Sequence, residues 1–359
     1  MSRKPKLPLR KGWTTGACAA GAARAAFEAL ETGVFPDPVG IRLPKGERPF
    51  FALTCKQLTH GEATAGIVKD AGDDPDVTHG VTVLATVRRS VPGAGVIFHA
   101  GEGVGIVTKP GLPVTLGEPA INQGPRKLIA EALEDSAETL DVTADLDVTI
   151  SIPGGEEIAK QTWNPRLGIV GGLSILGTTG IVHPYSCSAW IHSIHQGIDV
   201  ARATGVDHVA GVTGKTSEAA IGMMYELDDG ALIDMGDFVG GLLKYLRRHP
   251  IERLTIGGGF AKMVKLAQGN LDLHSARSQV DFAQLATWLS ELGAAPETIT
   301  TAAQANTAAQ VLELAGDIEI ARLVALRARE VALATLSGKT AVEVVIVDRH
   351  GVVVGRADA

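Results

Sequence analysis

Aromatic side chains are scarce in this 359-residue chain, where Phe, Trp and Tyr together make up 4 %. Any core must therefore be assembled from Ala, Val, Leu and Ile, and the 45 % hydrophobic content supplies them. Cysteine is scarcer still. Cys18, Cys55 and Cys187 have no zinc-ligand spacing, and an odd, sparse set is no disulfide framework, so a reducing compartment is expected. Positive charge is not in excess: 33 Lys and Arg face 40 Asp and Glu, a net charge of −7. That balance argues against a nucleic acid as the main partner. Gly (43) and Pro (17) stay well below the share that marks a disordered chain. A long apolar run is also missing. Leu167–Ile198 has no Asp, Glu, Lys or Arg, but it holds six glycines, Pro184 and three histidines. Such a stretch fails as a lipid-facing helix. It reads as a buried strand–loop–helix lining a cavity, and no membrane partner is expected. Residues 1–11 are basic and Pro-rich with no apolar signal-peptide core after them. The expectation is a cytoplasmic protein.

The length suggests about two domains. Thr14-Thr15-Gly16 opens a small-residue helix over 17–30 that Gly33 and Pro36 stop. Alternating runs at 39–43, 50–58, 63–69, 81–88, 96–99 and 145–152 read as strands. A second helix starts at Pro125 and runs to about Leu140. Residues 153–165 form a break where we expect the domain boundary, giving 1–160 and 161–359. Beyond it, strands at 167–170, 208–212, 232–234 and 254–256 alternate with helices at 186–204, 217–225, 238–248 and 261–268. That succession implies parallel strands with helical crossovers. Three helices, at 280–292, 301–314 and 318–336, precede a terminal hairpin. The expected fold is an α+β first domain and an α/β layered second domain.

Five motifs carry chemistry. Arg10-Lys11-Gly12-Trp13-Thr14-Thr15-Gly16 places hydroxyls and glycines at a helix start, where exposed N–H groups donate to an anion; an ordinary N-cap has the same sequence. Lys69-Asp70-Ala71-Gly72-Asp73-Asp74-Pro75-Asp76-Val77-Thr78-His79 crowds four carboxylates and a histidine, which suits proton transfer or a solvated acidic turn. The run from Gly171 to Gly180 follows a strand but lacks the dinucleotide spacing G-x-G-x-x-G, and a packing turn explains it equally. Gly211-Val212-Thr213-Gly214-Lys215-Thr216 is two residues short of a phosphate-wrapping loop. It leaves a small-molecule kinase as an alternative function. His183, His192 and His195 have no carboxylate nearby in sequence, so no metal site is expected.

The blocks together resemble the cobalt-precorrin-5B C1-methyltransferases of anaerobic cobalamin (vitamin B12) biosynthesis. The resemblance rests on Leu9-Arg10-Lys11-Gly12-x-Thr14-Thr15-Gly16-x-Cys18-Ala19, on Lys69-Asp70-x-Gly72-Asp73-Asp74 with Thr78-His79-Gly80, and on Gly101-Glu102-Gly103-x-Gly105-x-Val107-Thr108 with Ala120-Ile121-Asn122. It continues through Asn164-x-Arg166-Leu167-Gly168-Ile169-x-Gly171-Gly172 and Gly177-Thr178-Thr179-Gly180-Ile181. It spans about residues 9–275. The resemblance implies S-adenosylmethionine as methyl donor, a tetrapyrrole substrate carrying cobalt, and a fold unlike the common tetrapyrrole methylases. On that reading Asp70, Asp73 and His79 are candidate catalytic residues. Gly171, Gly172, Ser174, Gly177, Thr178 and Thr179 are candidates for the methyl donor. Arg10, Lys11, Thr14, Thr15, Arg126 and Lys127 are candidates for the substrate's carboxylates. A non-catalytic tetrapyrrole-binding protein is the second alternative, and a homo-oligomer is compatible with the sequence.

Overall fold

The computed structural model describes residues 8–359, so the first seven residues of the basic leader lie outside the described residues. The chain forms two compact units, one ending at Ser186 and the other spanning Cys187–Ala359.

The first unit opens with β1 (Gly12–Trp13) and α1 (Thr15–Thr32). Thr14 caps α1 by accepting from the Ala17 N–H, and Gly33 ends it at φ 78°. A short pair, β2 (Val39–Gly40) and β3 (Phe50–Phe51), leads into β4 (Cys55–Thr59), β5 (Glu62–Val68), β6 (Thr82–Arg89), β7 (Val96–Ala100) and β8 (Ile106–Val107). Then come α2 (Gln123–Leu140), β9 (Leu146–Ser151), α3 (Gly155–Ala159), β10 (Ile169–Val170) and β11 (Ile181–Val182). The main sheet has the order β4-β5-β6-β9-β7, antiparallel except where β7 meets β9. Val83, Ala85 and Val87 of β6 and Leu146, Val148 and Ile150 of β9 point inward with the alternation a one-sided sheet requires.

Helix α1 is buried around most of its circumference, with the Arg24–Glu28 pair on the stripe that remains partly exposed. Ala17, Cys18, Ala19, Ala20, Ala22, Ala23, Ala25, Ala26 and Phe27 are all fully buried. Its Ala and Gly residues let it lie against β5 and β6 while α2 packs on it from another side. Gly16 sits beside Pro125, and farther along the Ser136 hydroxyl donates to Glu28 at 2.8 Å. Helices α1 and α2 therefore run in the same direction, with their N-termini side by side.

Two-residue antiparallel ladders return the last part of this unit to its beginning: β10 pairs with β8 and β11 pairs with β1. The boundary thus lies at 186/187, not within 153–165. The expected break holds α3, and the strand near 167–170, expected in the parallel sheet, joins β8 instead. Glycine explains the change. A side chain on Gly172 would collide with the Gly103 backbone, and their closeness lets Leu173 N–H donate to Gly103 at 2.9 Å. The uncharged 167–198 stretch consequently straddles both units instead of forming one strand–loop–helix. Among the described residues no helix is long and apolar enough to cross a membrane.

The second unit comprises α4 (Cys187–Ala203), β12 (His208–Val212), α5 (Lys215–Tyr225), β13 (Leu232–Asp234), α6 (Val239–Leu246), β14 (Arg253–Gly259) and α7 (Phe260–Ala267). It continues through α8 (Phe282–Glu291), α9 (Pro296–Ala303), α10 (Ala308–Ala315), α11 (Ile320–Leu336), β15 (Ala341–Val347) and β16 (Val353–Ala357). Its sheet has the order β13-β12-β14-β15-β16, parallel until the final antiparallel pair. The expected strand–helix alternation is present. The single helix expected over 301–314 is two, because Thr307 accepts from the Gln310 N–H and starts a new helix.

Ala22 is fully buried, so enlarging it must disturb a neighbour. Ala22→Leu is expected to destabilise the protein by about 1–3 kcal/mol in urea denaturation. An unchanged midpoint would show that the helix has room.

Candidate functional site

In the first unit the extended segment before α1 lies directly against the acidic loop that follows β5. Side chains on Gly12 or Gly72 would overlap the backbone of the opposite segment. Trp13 N–H donates to Asp70 at 2.7 Å, Asp73 N–H donates to Arg10 at 3.0 Å, and Arg10 N–H donates to Asp73 Oδ2 at 2.6 Å. The Arg10 guanidinium grips both oxygens of Asp70. This bond, helped by the Gly72 N–H, holds the Asp70 carboxyl well below its usual range, at about 2. Ala71 N–H donates to His79 Nδ1 at 3.1 Å, so the neutral ring carries its proton on Nε2 and presents a donor outward.

The loop is anchored from below by Lys69, which is 1 % exposed and pairs with Asp76 while donating to Thr78 at 2.7 Å. Burial works to raise the Asp76 carboxyl, but the Lys69 ammonium and hydrogen bonds from Lys69 and Thr78 outweigh it and hold it low. Lys69 is not among the site residues expected from the sequence. Its signal was there: Ala63, Ala65 and Ile67 alternate inward, and the same period carries the next position, Lys69, inside.

The glycine-rich loop lies across both helix starts. Gly16 N–H donates to Leu176 at 3.0 Å, Thr14 N–H donates to Gly180 at 3.0 Å, and Gly124 faces Gly177 and Thr178. Neither α1 nor α2 has an acidic residue in its first turn, and Asn122 makes no side-chain cap to α2. Two parallel dipoles thus present their positive ends together beside Thr14, Thr15, Lys11 and Gln123. The dipoles favour anionic groups there, although the loop already takes the Gly16 N–H and Thr14 the Ala17 N–H.

All the expected site residues fall in this one unit, but the structure gives many of them inward partners. Gly172, Gly177 and Gly180 each have protein where a side chain would sit: Gly103, Thr14 and Leu43. Ser174 donates to Asn164 at 3.1 Å, and Thr179 bonds within its own turn to Ile181. Packing therefore accounts for the loop's small residues, and among its glycines Gly171 faces open space. Arg126 is likewise committed. It donates to Ile121 at 2.8 Å and Pro119 at 3.2 Å, pairs with Glu118 at 2.8 Å, and lies over Phe98. Arg10 and Arg126 thus brace the helix starts and do not offer bare guanidinium forks. Lys11 and Lys127 are exposed, the latter 3.7 Å from Glu131. Cys18 is no nucleophile, since burial pushes its thiol up to about 12.

In the second unit, β12 and α5 are separated by Thr213 and Gly214 alone, too short a turn to wrap a phosphate. His195 stacks on Tyr245, which stacks on His249, and the Tyr245 hydroxyl donates to Asp199 at 2.7 Å. Among the described residues no three His, Cys, Asp or Glu side chains are grouped to hold a metal ion.

Comparison with known proteins bears on this geometry. The family model for CbiD matches residues 1–184, and that for the CbiD C-terminal domain matches residues 272–358. The cobalt-precorrin-5B C(1)-methyltransferase of Brucella anthropi is 61 % identical over 355 residues, covering 98 % of this chain and 96 % of its own. The protein of the same name from Paramagnetospirillum magneticum is 59 % identical over 350 residues, covering 97 % and 98 %. A crystal structure of the cobalamin biosynthesis protein cbiD from Archaeoglobus fulgidus overlaps 75 % of this chain and 83 % of its own, with 28 % identity and a TM-score of 0.41.

The Arg10–Asp70 clamp sets an acid dependence. A depressed carboxyl pKa contributes stability that is fully present above the unfolded value near 4 and is lost as pH falls towards 2. Asp70→Asn should therefore be less stable than the unaltered chain at pH 6, with the gap closing by about pH 2–3. Urea denaturation across that range checks it, and a gap that persists undiminished at the acid end contradicts the assignment.

Proposed function

The chain belongs to the CbiD family and methylates C1 of cobalt-precorrin-5B in cobalamin biosynthesis, and from that premise we propose that the methyl comes from S-adenosylmethionine while the paired starts of α1 and α2 hold the macrocycle. The substrate is a flat tetrapyrrole with several acetate and propionate groups, and its cobalt arrives with it. The donor supplies an electrophilic methyl on a sulfonium and leaves as a neutral thioether.

The observation that carries the reading is the alignment of two helix N-termini with no first-turn carboxylate on either. Parallel dipoles brought together repel, and anionic side groups of a ligand relieve that cost. Lys11 and Lys127 add exposed positive charge nearby. The acidic loop's part is positional. Asp70 has both oxygens on Arg10, Asp73 accepts from the Arg10 N–H, and His79 offers a donor. Asp70 and Asp73 fix residues 10–13 and therefore the approach to α1, while His79 holds the loop at Ala71. Holding a carbon nucleophile in line with the methyl group is itself worth several orders of magnitude in rate, so alignment is a sufficient task for such a floor.

Incubation with methyl-labelled donor and cobalt-precorrin-5B, read by mass spectrometry, should add one methyl group. Binding without incorporation would favour a tetrapyrrole carrier. The floor itself predicts opposite signs for one substitution. Gln123→Glu places a carboxylate in the first turn of α2, so it should raise stability by about 0.3–1 kcal/mol. It should also raise KM for the tetrapyrrole about threefold or more by repelling its carboxylates, with donor affinity unchanged. A stability gain with no change in KM would remove the floor from substrate binding.

A further inference from the structure

We propose that a second copy of this chain joins the second unit edge to edge along β16, about a two-fold axis at Ala357, with α11 packed against the partner's α11.

The sheet of the second unit ends on one side in an open edge. β16 is the outer strand of the order β13-β12-β14-β15-β16 and pairs with β15 alone. Outside that ladder no backbone group of Val353–Ala357 bonds to another segment among the described residues. Exposed edges are commonly blunted by proline, lysine, a bulge or a very short strand. β16 has neither proline nor lysine, and Val353 and Val354 are exposed. Its register irregularity lies at the Val347 end, and the ladder from Gly355 to Ala357 is regular. Its one charge, Arg356, is turned to Glu343 at 2.7 Å and Asp358 at 2.6 Å. The opposite edge, β13, is three residues long.

Two contacts fix α11 along this edge. A side chain on Gly355 would strike the Ala321 backbone, and Arg329 Nε donates to the Val342 carbonyl at 2.7 Å. Val344 pairs with Ala357, so Val342 is level with residue 359. Helix residues 321–329 therefore run beside strand residues 355–359, each a span of about 12–13 Å. Leu326, near the middle of the first, is level with Ala357, the middle of the second.

Both elements are self-complementary about that one level. Antiparallel pairing of two β16 strands at Ala357 sets Arg356 opposite the partner's Asp358, a favourable cross-strand pair. An axis at Arg356 instead would set that arginine against its own copy. The axis at Ala357 also sets Leu326 against the partner's Leu326 and Arg322 opposite the partner's Glu330. Leu326 is 40 % exposed. Arg322 and Glu330 are exposed too; Arg322 pairs at 3.0 Å with Glu319 of its own helix, and Glu330 has no ion pair among the described residues. The spacing agrees. α11 packs on both β15 and β16. With strands about 4.8 Å apart, the axis beside β16 brings the two α11 helices to about 9–10 Å, the distance at which helices pack. Such a contact is isologous and closes at two copies.

The test is sedimentation velocity of the full chain over a concentration series, with charge-reversed variants of the exposed helix surface. The unaltered chain should form a dimer. Arg322→Glu and Glu330→Arg should each raise its dissociation constant about tenfold or more, because each reversal turns two attractive pairs into repulsive ones. The double variant Arg322→Glu/Glu330→Arg should restore association to near that of the unaltered chain, a recovery that a misfolded chain cannot show. A monomer at every concentration overturns the proposal and leaves the edge to a different partner. A dimer indifferent to both single reversals, a double variant that stays dissociated, or growth beyond two copies also overturns it.

Discussion

The first unit depends on how closely helix α1 can be approached. A helix that leaves only a narrow polar stripe, here Arg24 and Glu28, must fit its neighbours closely, and this one carries Ala or Gly at most of its buried positions. That choice lets β5, β6 and α2 all reach it. It also fixes the relation between α1 and α2, whose starts touch at Gly16 and Pro125. The surface that we assign to the substrate is thus a by-product of core packing. The same small residues that fill the interior bring two helix starts without first-turn carboxylates to one place. The aromatic poverty of the chain fits this construction, since a large ring in α1 would separate its neighbours.

Local features were legible in the sequence. The Thr14 cap, the Gly33 stop, the inward alternation of β6 and the strand–helix succession after residue 208 follow from short-range rules, and the structure has them. What sequence spacing did not convey were contacts between distant glycines. The attachment of residues 161–186 to the first unit depends on Gly103 meeting Gly172 and on β1 meeting β11. The same limit applies to the site. Arg10 and Arg126 look like anion clamps in isolation, yet each has partners that only the tertiary structure supplies. The convergence of four separate motifs was invisible for the same reason.

The second unit has its own constraint, a carboxylate sealed in its sheet. Glu343 on β15 is fully buried and accepts from Arg253 at 3.0 Å, Thr255 at 3.0 Å and Arg356 at 2.7 Å. Leaving a buried charge unpaired is costly, so the three partners act as one group. They come from β14 and β16, which ties the terminal hairpin to the parallel core. The last 80 residues, which carry few of the recognised motifs, are in this way part of the sheet and not an appendage to it.

The pairing of β1 with β11 bears on how the protein is made. Gly12 leaves the ribosome before its partner Val182, which follows about 170 residues later. At ordinary rates of synthesis that interval is roughly 10–30 s. Within it, the apolar surface of α1 is covered by the meander and α2 as each emerges, while its leading end waits for the segment that crosses it. The first unit is therefore a late closer during translation, and its completion falls after most of its core already exists.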